Sequence, residues 1–164
     1  MVFVFQLLLI VLFVVMQVLI FNHIHLYGGI ALVFLYTLLK WPVQTPRWLQ
    51  IVIGFCVGLL IDIFCNTLGQ HALTATTFMW LRVPILHSFV LADDVKSGIP
   101  GLRMLSMSVF LRFALISVIV YNVLLYSVEA FTIFNFGATF VKALISILLT
   151  YVFIITLEIS LNRK

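Results

Sequence analysis

Charge is what this 164-residue chain has least of: nine Lys and Arg and five Asp and Glu make up 9% of it, against 65% hydrophobic residues and a mean hydropathy of +1.30. Soluble domains are about 25% charged, and a solvated surface wants roughly a quarter to a third of its positions charged. So few charges cannot cover a globule of this size, which excludes a soluble protein. Cysteine is scarcer still. Cys56 and Cys65 stand alone, and about 13 Å of helical rise between them is too far for a disulfide; they read as small apolar packing residues. Basic runs are missing too, so the net charge of +4 reports topology rather than nucleic-acid binding.

Signatures of chemistry are absent in the same way. The chain has no GxxxxGK[ST] loop, no HExxH and no dinucleotide fingerprint. His23-Ile24-His25 offers two imidazoles without a Cys, Asp or Glu in the same loop, short of the three or four donors of a tetrahedral metal site. His87 and Ser88 are adjacent rather than placed as base and nucleophile. The expectation is a protein that is not an enzyme and needs no cofactor or metal.

Long apolar runs are what the chain has instead. At about 20 residues per crossing, six helices consume most of it and leave no extramembrane domain, so 1–164 reads as one integral membrane domain with helices over 2–21, 26–40, 48–65, 70–91, 105–127 and 131–157. The first run lacks the basic flank and small-residue cleavage site of a signal peptide and reads as a retained helix. The second is short; it reads as a span, with a re-entrant segment as the alternative. Lys40 and Arg47, Lys96 and Arg103, and Arg163 and Lys164 fall in the second loop, the fourth loop and the C-terminus, and the other three loops hold no Lys or Arg. That bias places both termini in the cytoplasm. Trp41, Trp48 and Trp80 read as interfacial anchors.

Ionisable groups within spans are costly and face a bundle interior or a water-filled cavity, which singles out Asp62, Arg82, Arg112 and Lys142. Gly54, Gly58, Asp62 and Cys65 share a sector of about 80° at 100° per residue, a GxxxG face suited to close helix packing. His71, Thr74, Ala75, Phe78 and Arg82 form a similar band, as do Ser108, Arg112, Ile119 and Asn122, and Asn135, Thr139, Lys142 and Ser146. The last four helices are thus expected to share a partly polar interior, with the first two as apolar flanks. Depth suggests two groupings: Asp62 with Lys142 in the outer half, and an inner cluster of Arg82 and Arg112 near Glu158 and Asp93-Asp94. Each such residue has a plain structural reading, as a buried pair or a snorkelling side chain, beside the functional one.

Phe55-Cys56-Val57-Gly58-Leu59-Leu60-Ile61-Asp62, followed by Leu68-Gly69-Gln70-His71-Ala72-Leu73 and Thr76-Thr77, reads as F-x-x-G-L-x-x-D then L-G-x-x-A-L. This pattern resembles the rod shape-determining protein MreD family, as do the chain's size and the Gln17 to Phe21 stretch entering Asn22-His23-Ile24. The resemblance implies an all-α fold of six transmembrane helices like the substrate-binding subunit of energy-coupling-factor transporters, in the bacterial cytoplasmic membrane. It also implies a scaffold of rod shape and lateral cell-wall peptidoglycan synthesis, acting with MreC, MreB, RodA and a penicillin-binding transpeptidase. Gly58, Asp62, Gly69 and Arg82 are the motif positions it marks; Gly54, Arg112 and Lys142 join them as structural or partner-facing candidates from the stripes alone. Two other readings stay open: a vitamin-binding transporter subunit, whose polar stripes would enclose a small molecule, and a proton-linked transporter using Asp62, which lacks a second acidic site for a relay.

Overall fold

The computed structural model describes residues 2–22, 28–67, 69–90, 98–102, 104–132 and 136–162, and every regular element among them is a helix. They are α1 (Val2–Met16), continued by a π-helical turn over Gln17–Phe21; a short α2 (Leu35–Leu39); α3 (Arg47–Cys65); α4 (Gln70–His87); α5 (Met107–Thr132); and α6 (Phe136–Asn162). Four stretches, Val4–Phe21, Arg47–Cys65, Met107–Glu129 and Thr139–Asn162, are long and apolar enough to cross a bilayer, so the chain has the character of an all-helical membrane protein. α4 is 18 residues long, but Gln70, His71, its three threonines and Arg82 make it less apolar than those four. Glu129 lies inside α5 rather than in a turn after it. His23 and His25, Leu68, Asp93, Asp94, Lys96, Arg103, Asn135, Arg163 and Lys164 lie outside the described residues.

The expected helix over 26–40 is where the structure departs most from the sequence reading: only Leu35–Leu39 is helical there. From Gly28 onward the chain runs beside α6 and parallel to it. Gly28 faces Lys142 and Gly29 faces Ile145 and Ser146; Ile30 meets Ser146, Leu32 meets Thr150, and Tyr36 and Lys40 both reach Glu158. Lys142 to Glu158 spans about 24 Å of helix rise, which so few residues cover by starting nearly extended. The approach is too close for a side chain: a Cβ at Gly29 would fall 2.7 Å from the Ile145 side chain, and Gly28 sits at φ +84, a conformation open to glycine at no steric cost.

This segment is no apolar flank. All residues from Leu32 to Leu39, and Trp41 after them, are buried, against α1 through Phe13 and Tyr36 and against α4 and α5 through Phe34, His71 and Tyr121. A run that is apolar on all sides fits a fully buried position as well as a lipid-facing one, so its composition could not tell the two apart. Trp41 is accordingly core and not an interfacial anchor, whereas Trp48 and Trp80 are exposed.

Around the segment stand two helical hairpins, α3–α4 and α5–α6, joined along α4 and α5. The first is held by the glycine face read from sequence. A Cβ at Gly54 would lie 2.7 Å from the Ala75 carbonyl oxygen, and one at Gly58 would lie 2.5 Å from Ala72 Cα, so α3 and α4 touch backbone to backbone. The turn between them needs left-handed residues at Asn66 (φ 53) and Gly69 (φ 75). On α5 the expected stripe is out of phase. Ser108, Arg112 and Ile119 point outward, and the buried face runs through Phe110, Phe113, Ala114, Ser117, Val118 and Tyr121, joined by Asn122 alone from the expected set. On α6 the stripe of Thr139 and Ser146 continues inward through Thr150, Ile154 and Glu158. The outer faces of α1 and α3, including Phe5, Leu8, Leu12, Phe55, Leu59 and Ile63, are exposed apolar surface suited to lipid.

The loops that carry basic residues meet at one end of the bundle. Val43 N–H donates to the Gly98 carbonyl, Lys40 pairs with Glu158 near the end of α6, and Gly101 lies against both.

Gly58→Ala is expected to lower the thermal midpoint of the detergent-purified protein, a loss of about 1–3 kcal/mol from overpacking against backbone that cannot yield. Gly137→Ala, whose Cβ would meet nothing within 4 Å, is expected to leave the midpoint unchanged or raise it slightly through helix propensity.

Candidate functional site

The polar residues inside the bundle are engaged chiefly with backbone. An irregular segment buried among apolar helices exposes amides and carbonyls that no neighbouring turn satisfies, and each costs several kcal/mol if left alone in hydrocarbon. Ser146 Oγ donates to the Ile30 carbonyl and accepts from the Ile30 N–H and from Tyr126 OH, using its one proton and both lone pairs. Thr150 Oγ1 accepts from the Leu32 N–H at 2.9 Å. Gln17 Oε1 accepts from the Val33 N–H at 2.7 Å, and the π turn beginning at Gln17 carries an Asn22 N–H to Gln17 O bond, the i→i+5 pattern of a π bulge.

Arg82 closes the other end of the segment. It has no accessible surface, and its Nη1 donates to the carbonyls of Leu38 (2.8 Å), Leu39 (3.1 Å) and Trp41 (2.7 Å). These carbonyls lie at and just beyond the end of α2, where a cation is favoured, and that of Leu38 also accepts from the Trp41 N–H. Arg112 lies on the exposed side of α5, so the expected cluster of Arg82 with Arg112 does not form.

Asp62 is also committed locally, and the expected Asp62–Lys142 pair is absent. Gly69 occupies the N-cap position of α4 and has no side chain to offer. Asp62 supplies the cap from the end of α3: Oδ1 accepts from the His71 N–H at 3.0 Å and from Thr67 Oγ1, and Oδ2 accepts from the Ala72 N–H at 2.8 Å. A carboxylate on the first amides of a helix satisfies open donors and meets the positive end of the dipole, a nearer claim on it than a lysine across the bundle. Lys142 instead lies 3.7 Å from Glu129 and against Gly28.

Glu158 is the hub that the sequence reading named only as a neighbour. It is buried, accepts from Tyr36 OH and Lys40 Nζ on Oε2, both at 2.8 Å, and from the Leu102 N–H (2.8 Å) and Asn162 Nδ2 (2.9 Å) on Oε1. It thereby ties the second segment, the loop before α5 and the end of α6 together. Extending the Lys142–Ser146 spacing by fours would have reached it through Thr150 and Ile154.

At the opposite end of the bundle lies a cavity of about 290 Å³, lined by Gln17 and Asn22 of the π turn, Ile30, Leu32, Ile61, Cys65, Thr67, Gln70, His71, Leu125, Tyr126 and Glu129. Of the sequence candidates, Asp62 stands just behind its wall through Thr67 and His71, and Lys142 stands behind Glu129. Gly54, Gly58, Arg82 and Arg112 are not part of it. Cys65, read as a packing residue, is half-buried on its wall. Compared with family models, curated proteins and solved structures, the chain matches none.

Two outcomes follow for the intramembrane charges. Asp62→Ala should cost about 1–3 kcal/mol through the amides it leaves open, seen as a lower thermal midpoint, and the exchange Asp62→Lys with Lys142→Asp should not restore it. Arg82→Met should cost at least about 2 kcal/mol by the same reasoning applied to three carbonyls. Arg82→Lys should keep more than half of the stability, because all three acceptors converge on one nitrogen and do not use the guanidinium fork.

Proposed function

We propose that this chain is a non-enzymatic membrane scaffold of the bacterial elongation machinery, similar to the MreD family, maintaining rod shape and lateral peptidoglycan synthesis with MreC and MreB beside RodA and a penicillin-binding transpeptidase. The observation that carries the reading is what the resembling motif does in three dimensions. Gly58 and Asp62 both act on His71 and Ala72, one by letting α4 approach and the other by capping its amides. Gly58 and Asp62 of the first half and Gly69 and Ala72 of the second therefore work together in the α3–α4 hairpin.

A scaffold role is also supported by where the polar groups go. Asp62, Arg82, Ser146, Thr150 and Glu158 are engaged by the protein's own backbone and by side chains such as Tyr36, Lys40 and Tyr126, and the faces turned outward on α1 and α3 are apolar. A partner helix would meet them through apolar packing. The parallel course of 28–40 along α6, counted with α1 and α3 to α6, supports six passes like those of energy-coupling-factor substrate-binding subunits. The gathering of Lys40 and the loops before α3 and α5 at one end supports a cytoplasmic assignment for that end and for both termini, in the bacterial cytoplasmic membrane.

The end cavity favours a second reading, a small-molecule-binding subunit of a transporter. Purification of the full chain in mild detergent from its native host separates the two. Stoichiometric recovery of an MreC-like bitopic protein, with loss of rod shape on depletion, is the expected result. Recovery of an ATPase pair together with a tightly held small molecule, and of no bitopic partner, would replace the scaffold by the transporter subunit.

A further inference from the structure

Arg112 is the intramembrane charge that the bundle does not use. It lies on the exposed side of α5, about 7.5 Å of helix rise after Met107, in a stretch long and apolar enough to cross a bilayer. No described carboxylate answers it. Glu158 lies with Lys40, Glu129 lies near Lys142 at the opposite end, and Asp62 is taken up by the first amides of α4. An ionisable group within a span is costly and ordinarily turns inward or to water, so a cation on this face calls for an anion from outside the fold.

The course of the side chain places that anion. In a helix the Cα–Cβ bond tilts towards the N-terminus, and a long side chain lies over the preceding turn. For Arg112 that turn holds Ser108, on the same exposed face, and it leads to the end where the basic loops gather. Snorkelling in this direction carries the charge to headgroup depth. Ser106 and Ser108 are exposed there with their hydroxyls 3.4 Å apart, and a hydroxyl can donate to a phosphate oxygen. On the other side of Arg112 the face continues through Leu115, Ile116, Ile119 and Val123, all exposed. These are bulky side chains rather than the small ones through which membrane helices approach closely. They suit acyl chains better than a partner helix.

We propose that Arg112, with Ser106, Ser108 and the adjoining apolar face of α5, binds an anionic phospholipid, with the phosphodiester at the guanidinium and an acyl chain along Leu115, Ile116 and Ile119. A zwitterionic lipid carries its own ammonium, which competes with Arg112 for the phosphate, so a lipid of net negative charge is preferred. The site needs the spanning course of α5 and neither functional reading above; its failure would leave recovery of a bitopic partner unaffected.

Native mass spectrometry of the purified full-length protein, titrated in detergent with phosphatidylglycerol or with phosphatidylcholine of the same acyl chains, tests this. The first phosphatidylglycerol adduct should form about fivefold more tightly, the factor for one basic residue near an anionic surface. Arg112→Gln should bring that ratio near one and leave the thermal midpoint in phosphatidylcholine unchanged, as for other surface substitutions. Arg112→Lys, which keeps a charge able to snorkel, should retain most of the preference. Arg47→Gln, at an exposed cation that begins α3, should leave the ratio unchanged, and inorganic phosphate in large excess should not displace the lipid. A wild-type ratio near one would overturn the proposal. So would an unchanged ratio in Arg112→Gln, which pairing with Asp93 or Asp94 outside the described residues would give, or an equal loss in Arg47→Gln, which would make the preference one of overall charge. Displacement by inorganic phosphate would reduce the site to a free-anion contact. A bitopic partner lost in Arg112→Gln while the lipid ratio holds would assign the guanidinium to an acidic group of that partner instead.

Discussion

A stretch of backbone that is helical only over Leu35–Leu39 and packed inside an apolar bundle must have its other amides and carbonyls satisfied from outside, and most of this structure follows from how that is done for residues 28–41. Gln17 comes from α1, Ser146 and Thr150 from α6 and Arg82 from α4, each meeting a particular amide or carbonyl of the segment. Three helices are thereby pinned to one central strand of chain. The π turn of α1 belongs to the same arrangement, since Gln17 opens that turn and also reaches Val33. So does Gly29, whose lack of a side chain lets the segment lie against Ile145 and Ser146.

The same constraint accounts for the placement of the few charges. Arg82 is tolerated without accessible surface because the α2 end supplies converging carbonyls, and Asp62 is tolerated because the α4 start supplies amides. Each charge faces a helix terminus of the opposite partial charge, which offsets part of the cost of burying an ion. Glu158 and Lys40 form the one buried carboxylate to amine contact below 3 Å among the described residues, at the end where the basic loops gather. The cavity lies at the far end, so the protein is tied shut at one end by ion pairing and left open at the other.

Much of the helical framework was legible from the chain alone. The bounds of α1 with its π turn, α3 and α4 lie within four residues of those anticipated, because long apolar runs announce themselves, whereas α6 lies five residues further along the chain than 131–157. The glycine face of α3 was readable too: Gly54 and Gly58 at helical spacing beside Asp62 can only serve close packing, and they do. Pairings were not readable. Asp62 with Lys142 rested on depth and opposite charge, and the cluster of Arg82 and Arg112 on depth and the nearness of Glu158 and Asp93-Asp94. Backbone groups at helix ends were the nearer partners, and a count of side-chain charges does not include them. The phase of α5 failed for a related reason, because Ser108 and Arg112 near the helix start are polar by virtue of their position near the basic end and not by facing inward.

Exclusion of a soluble fold, the grouping of the basic loops and the α3 packing motif are properties of composition and local spacing, and the sequence alone carries them. That the least helical apolar run would become the centre of the protein is different. Its environment is set by Ser146, Thr150 and Glu158, which lie more than a hundred residues away along the chain. Hydropathy is a sum over neighbours in sequence and assigns such a run to lipid or to core with equal ease. Only the assembled helices, by offering hydrogen-bond partners to its backbone, choose the core.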